Sequence, residues 1–240
     1  MTAEPLPEPP RPGGPRKGTR KRRTLNRDAI VDVALAIVDE HGLAGLSMRN
    51  VAGRLETGPA SLYAHVANKD ELTELVYDRV LGEIEIPEPD PKNWQKQLKS
   101  ALRAMHDVLI AHRDISYASL ARIPLGPNMI ATSEKFLAIM HAGGVPDRVV
   151  GLAMDFLSLA VNSLAYEQSL YPPEASEEEI QGYYDSVHEY FASLPAARFP
   201  LLVGMIDAFM EPEPEERLNF ALDVLVQGVG ALAESAKRRR

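Results

Sequence analysis

The 240-residue chain carries 34 acidic and 26 basic side chains, a formal net charge of −8, with 45% hydrophobic and 25% charged residues. That composition suits one or two globular domains with a sizeable core, and the absence of cysteine excludes disulfides, thiolate metal sites and cysteine nucleophiles. No uninterrupted apolar run approaches the ~18 residues of a membrane span, and the N-terminus lacks an apolar signal core, so the expectation is a soluble cytoplasmic protein with no membrane partner.

The acidic balance argues against nucleic acid until its distribution is followed along the chain. Residues 1–27 hold eight basic and two acidic residues, residues 28–82 four and nine, and residues 83–240 fourteen and twenty-three. A cationic arm thus precedes an acidic body. The arm is rich in Pro and Gly and nearly devoid of apolar residues, so residues 1–20 are expected to be disordered. The alternative for the arm is a merely solubilising tail.

Strand alternation is nearly absent and helical spacing recurs throughout, which predicts an all-α protein. Asn26 can cap a helix from Arg27, with Ile30, Ala34, Ile37 and Val38 on its apolar face and Gly42 as its stop. A short helix runs from Ser47 to about Leu55. Glu56-Thr57-Gly58 forms a tight break, and Pro59 opens another short helix to about His65. Asn68 can cap a fourth, with Leu72, Leu75, Val76 and Val80 facing inward. Pro87, Pro89 and Pro91 mark a boundary. Beyond it, Trp94 to His112 reads as a long amphipathic helix, and 124–127 as a loop. Residues 128–141 are helical and Gly143-Gly144 ends them. The stretch 146–170 is apolar on most sides, hence buried on several. Ser176 and Glu179 form a capping box for a helix with Ile180, Tyr183, Tyr184, Val187, Tyr190, Phe191 and Leu194 at helical spacing. A short helix over 199–209 and a last one from about Glu211 to Ala236 complete the chain. Lys237–Arg240 favour the negative end of that last helix.

Residues 47–65 read as helix, tight turn, short helix, the arrangement that places a second helix in the DNA major groove. Val51, Leu55, Leu62 and Val66 supply the packing between the two helices. Pro59, Ala60 and Ser61 are small enough for close approach to DNA, Tyr63 and His65 can reach phosphates or bases, and Lys69 sits where its charge and a helix N-terminus can meet one phosphate. Arg20 to Arg23 could follow the backbone or enter the minor groove.

The strings Leu46-Ser-Met-Arg-Asn-Val-Ala-Gly-Arg-Leu55, Pro59-Ala-Ser-Leu-Tyr-Ala-His-Val66 and Asn68-Lys-Asp-Glu-Leu72 resemble the TetR family of one-component bacterial repressors, in particular its tetracycline-repressor-like branch. The resemblance covers about residues 25–82. A looser one, through Pro124-Leu-Gly-Pro-Asn128 and Phe220-Ala-Leu-Asp-Val-Leu-Val-Gln-Gly-Val229, extends to a TetR-type C-terminal regulatory domain. Behind the disordered basic arm, taken as 1–23 from its composition, it implies a three-helix helix-turn-helix DNA-binding domain over 24–86 and a helical-bundle regulatory and dimerisation domain over 92–236. The DNA-contacting candidates are Arg22, Arg23, Thr24, Ser47, Met48, Arg49, Pro59, Ala60, Ser61, Tyr63, His65 and Lys69; Pro59 to Ser61 fall on base-reading positions and Tyr63, His65 and Lys69 on phosphate-contacting ones. Met48 could equally pack internally. Where the turn often carries Gly this chain has Glu56, an acid beside DNA.

The partners implied are a double-stranded DNA operator, a second copy of the chain, and an unknown small-molecule effector, with no cofactor. Ala221, Leu225, Gly228 and Leu232 form the candidate dimerisation stripe; close packing or local fraying would account for Gly228 and Gly230. His106, Tyr117, Met129, Phe156, Asn162 and Tyr166 are the ligand-binding candidates. Asp155, Ser158, Asn162 and Tyr166 share a stripe that could instead face solvent or a partner. His106 and His112 lack metal-ligand spacing. An enzyme is not expected, since the Gly-x-Ser-x-Gly elbow, the phosphate-cradling glycine loop and His-Glu-x-x-His are all missing. A ligand-independent DNA-binding adaptor or architectural protein is the alternative function.

Overall fold

The structure, a computed structural model, describes residues 25–120, 125–169, 176–210 and 214–238. The predicted disordered arm, Arg22, Arg23 and Thr24 lie outside the described residues. Those described form helices and connecting turns, as the spacing of apolar residues predicts.

Helix α1 (Arg27–Gly45) starts where Asn26 accepts the Ala29 N–H at 2.8 Å. Its helical geometry breaks at Gly42, the predicted stop, where φ is +66°, and a final turn follows. Ser47 caps α2 (Met48–Arg54) and Asn68 caps α4 (Lys69–Leu81), each through the N–H three residues on. Between them lies α3 (Pro59–Leu62), with Pro at its first position. The Pro-rich segment then leads into α5 (Trp94–Ala111). A single-turn helix, α6 (Tyr117–Leu120), was not foreseen. It is followed by α7 (Pro127–Ala142) and α8 (Asp147–Ser169). The capping box at Ser176 and Glu179 opens α9 (Glu177–Ala192). The expected helix over 199–209 is split at Met205 into α10 (Pro200–Gly204) and α11 (Ile206–Met210), and α12 (Pro214–Arg238) ends the described chain.

One continuous apolar core runs through α1–α5, α7, α8 and α12, from Ile30 to Ala233. Helix α4 packs against α1, α5, α6 and α7. By contrast, α9, α10 and α11 pack mainly on one another, and Tyr183, Tyr190, Leu201 and Phe209 stay exposed.

Helix α8 is long and apolar enough, by length and composition, to cross a membrane, although Asp155 interrupts its apolar run. One expectation is corrected: α8 is not buried on several sides. Val150, Ala153, Leu157 and Val161 face the core, while Leu152, Phe156 and Leu159, at offsets 0, 4 and 7, face outward.

Candidate functional site

The α2–turn–α3 unit follows directly from its sequence. Val51, Ala52, Leu62 and Val66 are buried between the helices and α1, and α2 ends in a left-handed residue, Glu56, with φ +52°. The Glu56 N–H donates to the Gly53 carbonyl at 3.2 Å and the Thr57 N–H to the Ala52 carbonyl at 3.0 Å. This paired closure is the Schellman motif, which usually carries Gly at that position. It directs the chain sharply into Pro59, so that Pro59, Ala60, Ser61 and Tyr63 emerge exposed on one short helix and its end. Tyr63 leaves 55% of its surface in solvent, and His65 is half-buried.

Charge on this unit is sorted by partner. Asp28 and Asp32 face Arg79 at 3.6 and 3.2 Å. Glu40 takes Arg54 through both carboxylate oxygens, and Glu71 takes Arg27. Asp39 meets His112, and Asp78 turns inward onto α7. That leaves Arg49, exposed and without an acidic partner among the described residues, and Lys69, whose ammonium donates to the Leu43 carbonyl at 3.2 Å. Ser47 is half-buried, with its hydroxyl engaged as the α2 cap. Met48 is a correction to the candidate set. It is only 9% exposed and belongs to the core, because the first position of α2 turns toward α1.

Between α4, α5, α7 and α8 lies an apolar cavity. Leu102, Met105, Met129, Phe136, Met154 and Leu157 dominate it, with Leu81, Thr132, Ser133 and Ser158 completing the wall. Its volume is about 30 Å³, room for roughly one water and well short of the ~300–1,000 Å³ of ligand pockets.

Of the six ligand-binding candidates, Met129 lines this cavity. Asn162 is buried one turn from Ser158, donating to its carbonyl at 2.9 Å and accepting the Tyr77 hydroxyl at 3.0 Å. Burial raises the Tyr77 pKa, and hydrogen bonds with Ser119 and Asn162 partly oppose that rise. His106 is buried elsewhere, between Asp107 and Gln168, each at 3.2 Å. Tyr117 and Tyr166 pack ring to ring at 5.3 Å, Tyr117 largely in solvent. Phe156 is corrected: at 61% exposure it points outward, on the side of α8 away from the cavity wall. The remaining wall residues were missed, although three methionines on three helices were visible in the sequence as adaptable apolar lining.

The dimerisation stripe is corrected at Leu225, which is buried in the core of its own chain, and Ala221 is half-buried. Gly228 and Leu232 of the stripe are exposed, and the outward face continues through Phe220 and Val224, one residue before the two expected there. A Cβ on Gly228 would meet nothing, whereas one on Gly230 would lie 2.5 Å from the Gln95 amide of α5. Among the described residues, no group of three or more His, Asp or Glu could hold a metal ion.

An all-helical body carrying an exposed helix-turn-helix and an apolar cavity behind it defines the class of DNA-binding transcriptional regulators. Residues 30–76 match the family model for bacterial regulatory proteins of the tetR family, and residues 86–233 match the tetracyclin repressor-like C-terminal domain. The chain belongs to the TetR family. The TetR-family protein ActR of Streptomyces coelicolor, in complex with actinorhodin, is 39% identical with a TM-score of 0.83, over 89% of this chain and 99% of that one. The transcriptional repressor DrrR1 of Streptomyces coeruleorubidus is 29% identical over 94% of this chain and 84% of its own. A helix-turn-helix regulator of Saccharopolyspora erythraea is 34% identical over 54% of this chain, a match spanning 55% of that protein.

Proposed function

We propose that the chain works in the cytoplasm as a homodimeric repressor that binds a palindromic operator and is released by a small-molecule effector. The observation that carries this reading is the sorting of charge on the helix-turn-helix. Six acids of the DNA-binding unit have partners inside the chain, while Arg49 and Lys69 are exposed, as are Pro59, Ala60 and Ser61, and have no acidic partner among the described residues. In this reading Arg49 contacts a base or phosphate, Pro59, Ala60 and Ser61 meet base edges, Tyr63, His65 and Lys69 hold phosphates, and the arm with Arg22, Arg23 and Thr24 adds backbone or minor-groove contacts. The division is an arm over 1–23, a DNA-binding domain over 24–86 and a regulatory domain over 92–236.

The effector reading rests on the cavity wall and on the complex of the relative ActR with actinorhodin. Ten wall residues without a charged side chain suit a neutral, largely apolar ligand. Ligand entry would favour a conformer with a wider cavity and altered half-site spacing. The small volume is the observation favouring a second reading, a ligand-independent adaptor.

Selection of bound DNA from a random duplex library by the full chain tests the proposal. The expected product is a palindrome whose half-sites lie about 34–36 Å apart, or a multiple of that. Recovery of sequences without dyad symmetry would overturn the dimeric-repressor reading.

A further inference from the structure

Asp78 lies on α4, the helix that leaves the DNA-binding unit, yet it is 6% exposed and its carboxyl group serves another helix. Its Oδ1 accepts the Met129 N–H at 2.9 Å, and its Oδ2 accepts the Asn128 N–H at 3.3 Å and the Asn128 Nδ2 at 3.2 Å. These are free N–H groups of the first turn of α7, whose own cap position, Gly126, offers no side chain. Asp78 is therefore a cap supplied from a different part of the fold.

The joint is built tight from both sides. A Cβ on Gly126 would collide with the Asp78 carboxyl, and one on Gly82 would lie 3.0 Å from the Asn128 side chain. The same two helices bound the cavity. Leu81 of α4 and Met129 and Thr132 of α7 are wall residues, and the Thr132 hydroxyl donates to the Leu81 carbonyl at 3.4 Å. Helix α4 is pinned to α1 at its start by Lys69 on Leu43 and, beside Asp78 itself, by Arg79 on Asp32. A void of about 30 Å³ admits no ligand larger than a water or so unless the helices around it move apart, and movement of α7 off α4 lengthens the Asp78 bonds.

We infer that Asp78 is a positioning residue for repression: its cap on α7 is closed in the operator-binding state and opens when the cavity fills, so that α4 carries the change to α1–α3. The inference rests on the operator-and-effector reading above. Coupling is reciprocal, so operator binding must strengthen the cap, and this can be measured without knowing the effector.

The experiment is amide hydrogen exchange of the full chain, free and bound to its selected operator duplex. Exchange in the segment 127–131 is expected to slow about tenfold on operator binding, within the 5–150-fold range of typical couplings. In Asp78→Asn, which keeps one acceptor but turns the other toward Asn128 as a donor, the operator-induced slowing should fall below threefold. Gly126→Ala, which crowds the carboxyl from the α7 side, gives the same comparison should Asp78→Asn not fold. Equal exchange in free and bound wild type, or full slowing retained in the folded variant, overturns the inference alone. Failure to bind any duplex overturns the functional reading and the inference together.

Discussion

Glu56 illustrates how far single residues could be read in advance. The sequence marks it as the one unusual residue in the turn, and the structure supplies the reason: it holds φ at +52° in the Schellman closure of α2. A non-glycine residue there costs about 1–2 kcal/mol. Glu56→Gly is expected to raise stability by about 1 kcal/mol, read as a higher urea midpoint, and to remove a negative charge beside the DNA edge. An unchanged or lower midpoint would refute the strain argument. Tyr77 is the opposite case, unremarkable in the sequence and central in the structure. Its buried hydroxyl ties α4 to Asn162 of α8, and Tyr77→Phe leaves the Asn162 oxygen without that donor. The expected loss is about 1–3 kcal/mol, checked by the same titration. Asp78 was illegible for a related reason: a lone carboxylate within a helix ordinarily faces water, and only the fold brings α7 onto it.

The helices themselves were legible where local chemistry specifies them. Asn26, Asn68 and Ser176 cap the helices they were expected to cap, while Ser47, expected as the first residue of α2, is instead its cap. What escaped was short or tertiary. Helix α6 is one turn following Arg113, which itself adopts φ +52°, and one turn shows no period. The side of α8 or α12 that faces the core depends on neighbours rather than on spacing. Elements also meet at a titratable joint. His112, at the C-terminal end of α5, lies between Asp39 of α1 at 2.8 Å and Glu83 beyond α4 at 3.1 Å, and Arg113 donates to the Asp39 carbonyl. Burial pulls the His112 pKa down, but the hydrogen bonds and charges of Asp39 and Glu83 more than offset it, and the net shift is upward. A raised histidine pKa contributes stability that is complete below the unfolded value of about 6.5 and is lost as pH rises through the folded value. Melting temperature should therefore fall between pH 6 and pH 8 by more in wild type than in His112→Gln. Equal pH dependence in the two proteins would remove His112 from the joint.

At the scale of the whole molecule, the net charge of −8 conceals a cationic arm and an acidic body. Deleting residues 1–23 should weaken operator binding and lower the slope of log K against log salt by about 0.9 for each phosphate that the arm neutralises; an unaltered slope would exclude the arm from the complex. Apolar surface poses the larger question. Helix α8 exposes Leu152, Phe156 and Leu159, and α12, packed beside it, exposes Phe220, Val224 and Leu232. Six large apolar side chains are thus exposed on two adjacent helices, and apolar surface gathered in that way marks an interaction site more often than a bare monomer surface. A two-fold axis through that patch would bury it twice over, since each residue of an isologous interface contributes from both copies. Gly228, open on the same face of α12, gives a partner helix room to approach. Each Phe so buried contributes roughly 1.5–3 kcal/mol, and a buried carboxylate in its place opposes association strongly. Phe220 is 71% exposed in the single chain, so Phe220→Glu should leave the helical content and melting of the protomer nearly unaltered. Sedimentation should then show the dimer dissociating at concentrations at least a hundredfold higher than in wild type. Binding to a two-half-site operator should fall to that of one half-site, because a monomer loses the effective concentration that the second reading head supplies. A variant that remains dimeric at wild-type dilution would place the interface elsewhere, and the apolar face of α8 and α12 would then require a different partner.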